Sequence, residues 1–200
     1  MEGFEQEYYK FEDSVVSLTG QNERKARLAF AEKIESMICM YPDVSALYHK
    51  LGLCYYNLSF WEEGDKSAIE IAFHRALLID PDSVFSLLFL AFYYFDVGKY
   101  QLFLRCYEKL YTSVYIKDIP DWRIKKLSGL KLSCLVYLNV LDVNNLKHEI
   151  SSLIKNYKLL DKDELSAAEP IELIKALKDS KYVDSEEIAE QVKIMERMCD

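Results

Sequence analysis

The side chains that could do chemistry in this chain are few and scattered. Its three histidines fall at His49, His74 and His148. A metal or acid–base centre draws its groups from short spacings or from converging elements, and neither an HExxH pair nor a cysteine knuckle occurs. The histidines therefore read as surface groups or as satisfied core groups. The five cysteines, Cys39, Cys54, Cys106, Cys134 and Cys199, are odd in number and lie far apart. Four fall within apolar helical runs and read as small core residues, and unpaired thiols suit a reducing compartment, so a cytoplasmic location is expected. None of the six glycines stands in a GxGxxG, GxxxxGK or GxSxG frame, which removes the usual phosphate cradles and the esterase elbow. Adjacent carboxylates such as Glu62-Glu63 and Glu186-Glu187 diverge by about 100° on a helix and cannot face one another as an acid/base couple. The expectation is a protein that is not an enzyme, with no cofactor, no metal and no small-molecule substrate.

Charge narrows the partners. The chain of 200 residues carries 25 Lys and Arg against 33 Asp and Glu, a formal charge of −8 with a pI near 5.0. A phosphate backbone would be repelled, so no nucleic acid is expected. The acids concentrate at the two ends, in residues 1–13 and 161–200. The opening Met-Glu-Gly-Phe-Glu-Gln-Glu lacks the basic-then-apolar pattern of a signal peptide. The most apolar run, Val84 to Phe95, has twelve residues, whereas a membrane-crossing helix needs about 20. No membrane association is expected, and this run reads as a helix buried on most sides.

The elements that must position any site are helical. Apolar residues recur at three- and four-residue steps, as in Leu28, Ala31, Ile34 and Ile38, and no segment alternates strictly between hairpin turns. The prolines Pro42, Pro81, Pro120 and Pro170 stand 39, 39 and 50 residues apart, a period that marks a helical repeat. The pattern predicts helices over 3–18, 22–41, 44–60, 66–79, 83–96, 99–114, 121–141, 144–158, 169–178 and 185–198, within a single domain over 1–200.

Two segments carry a resemblance. Tyr48, Leu51, Gly52 and Tyr55 are spaced as in the first helix of a tetratricopeptide repeat, and Phe73, Ala76 and Pro81 as in the end of its second helix. Leu87, Leu90, Ala91 and Tyr94, the Gly98-Lys99-Tyr100 turn, and Phe103, Tyr107 and Leu110 form a second copy. The sequence thus resembles a degenerate tetratricopeptide protein, all-α, with clear helix pairs at 44–79 and 83–114, poorer pairs at 3–41 and 121–158, and C-terminal helices at 169–198. Small Gly52 and Ala76 would sit where paired helices cross closely, with Tyr48, Tyr55 and Phe73 filling the space beside them. Five extra residues between Trp61 and Ile69 depart from the family pattern.

Such a fold implies binding of another protein. The basic clamp that some members use to grip a carboxylate tail is missing, since the corresponding inner-face positions are Ala46, His49, Lys50 and Leu53, then Phe85, Leu88, Phe89 and Phe92. Those four apolar residues would form a concave wall suited to an apolar helix, either a partner's or one of the chain's own C-terminal helices. Trp61 beside Glu62, Glu63 and Asp65 has the composition of an interface anchor ringed by charge. The expected partner-binding residues are therefore Trp61, Glu62, Glu63, Asp65, His49, Lys50, Phe85, Phe89 and Phe92. A small acidic binding protein is similar in kind to an immunity protein, an antitoxin that neutralises a basic nuclease toxin by occluding its active surface. The alternative expectation is a scaffold or secretion chaperone that holds a client segment in the concave groove.

Overall fold

The structure, a computed structural model, describes residues 6, 9–11, 13–15, 18, 20–59, 66–167 and 170–199. Among these residues the chain is all-helical, without a strand. The helices are α1 (Gln21–Met40), α2 (Ser45–Leu58), α3 (Ser67–Ile79), α4 (Val84–Asp96), α5 (Tyr100–Thr112), α6 (Asp121–Tyr137), α7 (Val143–Tyr157), α8 (Lys162–Ala167), α9 (Ile171–Lys178) and α10 (Glu186–Cys199), with a 3-10 turn at Ile116–Asp118. The expected helix over 3–18 falls partly outside the described residues; residues 6, 9–11 and 13–15 are helical.

Two elements were not anticipated. The 3-10 turn occupies the connection before Pro120, and α8 is a six-residue helix in a stretch where no helix was expected. Asp161 starts α8 by accepting a hydrogen bond from the Glu164 amide at 2.8 Å. Conversely, α6 stops at Tyr137, four residues short of the expected end. Asn139 there adopts a left-handed φ of 56°, while the Asn139 amide donates to the Val136 carbonyl at 3.0 Å and the Val140 amide to the Leu135 carbonyl at 3.2 Å. That double closure satisfies carbonyls the helix end would otherwise leave bare.

Gly98 ends α4 in the same way, with φ 71° and the Lys99 amide donating to the Tyr94 carbonyl at 2.8 Å. A Cβ placed on Gly98 would meet nothing within 4 Å, so only backbone strain opposes a side chain. Gly98→Ala is expected to cost about 1–2 kcal/mol in chemical denaturation, while Gly98→Asn should cost less.

The chain divides into two compact units, Met1–Tyr93 and Tyr94–Asp200, the division falling within α4. In the first unit α2 packs against both α1 and α3. Helix α1 buries Arg27, Phe30, Ala31 and Ile34, a three-and-four stripe, and Arg27 is neutralised within the helix by Glu23 at 3.0 Å. Phe30, Ala31 and Ile34 share a core with Leu47, Leu51 and Cys54 of α2 and Ala72 of α3. Gly52 lets α2 and α3 approach, because a Cβ there would stand 2.7–2.9 Å from the Phe73 ring. Ala76, fully buried, receives at its carbonyl the Ser45 hydroxyl at 3.0 Å.

The second unit repeats that device with other residues. A Cβ on Gly129 of α6 would lie 2.5 Å from the Tyr157 hydroxyl of α7. Helix α6 is the centre of this unit and packs against α5, α7, α8 and α9, while α10 packs on α7 and α9. The apolar faces of α9 and α10, including Leu173, Leu177, Ile188, Val192 and Met195, join Leu146, Ile150 and Leu153 of α7 in one core. Gln191 crosses that core, its amide donating to the Lys147 carbonyl at 3.1 Å.

Candidate functional site

His49 is the most perturbed group among the expected site residues. Its Nδ1 lies 3.0 Å from the Ser86 hydroxyl, which is itself 2.8 Å from the Ser83 hydroxyl. The Phe73 and Phe89 rings approach it at centroid distances of 5.9 and 6.1 Å. Burial, and secondarily the charge of Lys50, pushes its pKa down to about 3, so the imidazole is neutral. The arrangement is a strut between α2 and α4.

The remaining expected residues divide. Trp61, Glu62, Glu63 and Asp65 lie outside the described residues. Lys50 stands over the Tyr9 ring at 5.0 Å. Of the apolar wall, Leu88 is fully buried and Phe85 is the most open, at 36 % exposure. Phe89 is occupied by aromatic contacts with Tyr56, Phe73 and Phe92 at 5.9–6.4 Å. Most of this wall is therefore in use within the first unit, holding α4 against α2 and α3.

His74 pairs loosely with Glu70 along α3 at 3.8 Å, and His148 is exposed on α7. Among the described residues no cluster of three His, Cys, Asp or Glu could hold a metal ion, and no helix is long and apolar enough to cross a membrane. Cys54, Cys106 and Cys134 are buried, but Cys39 is exposed, contrary to its reading as a core residue. Burial pushes the Cys134 thiol up to about 12, so it stays protonated and unreactive.

An open, apolar concavity lies elsewhere in the first unit. A groove of about 740 Å³ is lined by Tyr48, Leu51 and Tyr55 of α2, by residues of α3 from Ser67 to Leu78 and by Glu35 of α1. Ile71 and Leu78 border it at 66 % and 73 % exposure. No family model, curated protein or solved structure matches the chain. The groove's own chemistry must therefore speak for it.

The groove's polar groups include Glu35, Tyr55, Glu70, His74 and Arg75. Glu35 accepts a hydrogen bond from the Tyr55 hydroxyl; burial, and secondarily this bond, raises the Tyr55 pKa and keeps the phenol protonated. Arg75 lies over the Tyr48 ring at 5.9 Å. Sequence reasoning missed this site because it looked for the inner face that the family resemblance implies. A signal was nonetheless present: α3 buries Ile69, Ala72, Phe73 and Ala76, and Ile71 and Leu78 are large apolar residues left off that stripe.

Proposed function

We propose that this chain is a non-catalytic binding protein, built from antiparallel helix pairs in the tetratricopeptide manner, that forms a stoichiometric complex with a basic protein. The observation that carries the reading is the exposed apolar groove of the first unit, since exposed apolar concavities of this size mark binding sites. The close helix crossings at Gly52 and Gly129 support the paired architecture.

Charge supports the nature of the partner. Residues 1–93 hold fifteen Asp and Glu against eight Lys and Arg, so seven of the eight net negative charges fall in this part of the sequence, all of them at Glu2, Glu5, Glu7, Glu12, Glu62, Glu63 and Asp65, outside the described residues. An immunity protein that occludes a basic nuclease toxin is the biological role we favour, because its acids accelerate encounter and mimic phosphate. The client-holding role of a scaffold or secretion chaperone draws on the same groove.

In-cell cross-linking in the native host, followed by reconstitution with the recombinant partner, tests the reading. The expected result is a 1:1 complex with a basic protein whose association rate falls about tenfold or more between 50 and 300 mM salt. A partner without basic character, an association insensitive to salt, or catalytic turnover by the purified chain would overturn it.

A further inference from the structure

We propose that α10 has two registers open to it on α7 and α9, three residues apart, and that Gln191 is the latch that holds it in the one observed. The device lies in the second unit and is independent of the binding-protein reading above.

The second register is written in the helix itself. The positions of α10 that enter the core are Ile188, Gln191, Val192 and Met195. Three residues further along, the same spacing falls on Gln191, Ile194, Met195 and Met198. Ile194 and Met198 already pack, partly buried, against this core. A slide of about 4.5 Å with a rotation of about 60° brings them into it. Of these four only residue 191 is polar, and it would enter the place of Ile188, which is all but closed to water. Other slides fail on size or charge. A move of four residues brings Glu196 or Glu187 into the core, and a retreat of three offers only Ser185 and Ala189 for the places of Ile188 and Val192.

The ion pairs of α10 discriminate weakly between the two registers. Lys147 pairs with Glu187 at 2.7 Å, but the slide puts Glu190 where Glu187 stands. Lys178 and Glu196 pair at 2.6 Å with both side chains exposed, where such a bond contributes little.

Gln191 does discriminate. In the observed register its amide nitrogen donates to the Lys147 carbonyl and to the Ser151 hydroxyl of α7. After the slide Ile194 would face those groups, and the Gln191 amide would be buried away from them. A single buried polar side chain of this kind fixes helix register at a cost in stability. The cost is visible here. Gln191 is buried, and its Oε1 has no hydrogen-bond partner among the described residues, a penalty that offsets the two donated bonds. Its partners need it little, because Lys147 and Ser151 stand one turn apart in α7 and the Ser151 hydroxyl can turn back to the Lys147 carbonyl.

NMR of the full chain with methyl-labelled methionine tests the latch, because Met195 has no exposure whereas Met198 lies at the margin of the core. The parent should give one resonance for each. Gln191→Leu should give a second set above about 5 % of the signal. In that set a soluble paramagnetic relaxation agent should spare the Met198 methyl as it spares Met195 in the parent. The folding equilibrium constant of Gln191→Leu in urea should stay within about threefold of the parent's or rise. Adding Met198→Gln to this variant would bury an amide at the place of Met195 in the second register, so the double variant should return to a single Met195 resonance.

Two sets in the parent, a single set in Gln191→Leu, or a second set that survives Met198→Gln would overturn the proposal. So would a fall of about tenfold or more in the folding constant of Gln191→Leu, failure to fold included, since Gln191 would then be a stabilising tie and not a selector.

Discussion

Phe73→Ala is expected to lower the free energy of unfolding by about 3–5 kcal/mol, a large fraction of what a typical domain possesses. The ring has no solvent exposure and lies directly over Gly52, so its removal opens a cavity at the crossing of α2 and α3. The informative experiment is a double-mutant cycle. Gly52→Ala alone should cost about 1–3 kcal/mol, because the new methyl meets the ring at 2.7–2.9 Å. In a Phe73→Leu background the same change should become neutral or stabilising by up to about 1 kcal/mol, since alanine is the better helix former once the clash is gone. Urea denaturation of the four proteins decides the matter, and additive effects would show that Gly52 does not serve this crossing.

The second large effect concerns pH. His49 titrates near 6.5 in the unfolded chain and near 3 in the folded one. Between those values the unfolded state binds a proton that the native state does not, so stability from this group is complete above pH 6.5 and declines as pH falls. The slope is at most about 1.4 kcal/mol per pH unit, or about 2 kcal/mol between pH 6.5 and 5.0. His49→Asn retains a polar atom toward Ser86 and does not titrate. Its loss of stability between pH 7.5 and 5.0 should be smaller than that of the parent by about this amount. Parallel profiles would mean that the imidazole is not enclosed in solution.

The helices were legible because their causes are local. Apolar steps of three and four residues gave α1 to α7, α9 and α10 within a few residues, and the small residue at Gly52 announced a close crossing before any coordinate did. What escaped was decided by single residues or by distant ones. Asn139 ends α6 through a left-handed backbone that Asn tolerates without demanding, and Asp161 nucleates α8 in a stretch too short for periodicity to register. The contacts that occupy Phe89 come from α2, α3 and α4 together. The groove depends on which face of α3 its neighbours leave uncovered, and only the tertiary packing settles that.

The last two helices have a consequence for the cohesion of the second unit. Tyr182, buried between α9 and α10 in sequence, donates its hydroxyl to the Leu141 carbonyl. With it, α9 lies on α6 and α10 on α7. Leu132 and Val136 of α6 and Leu146 and Ile150 of α7 are thereby withdrawn from water. Losing Glu186–Cys199 would therefore return Leu146, Ile150 and Leu153 of α7 to water, so this unit should keep or lose its helices together.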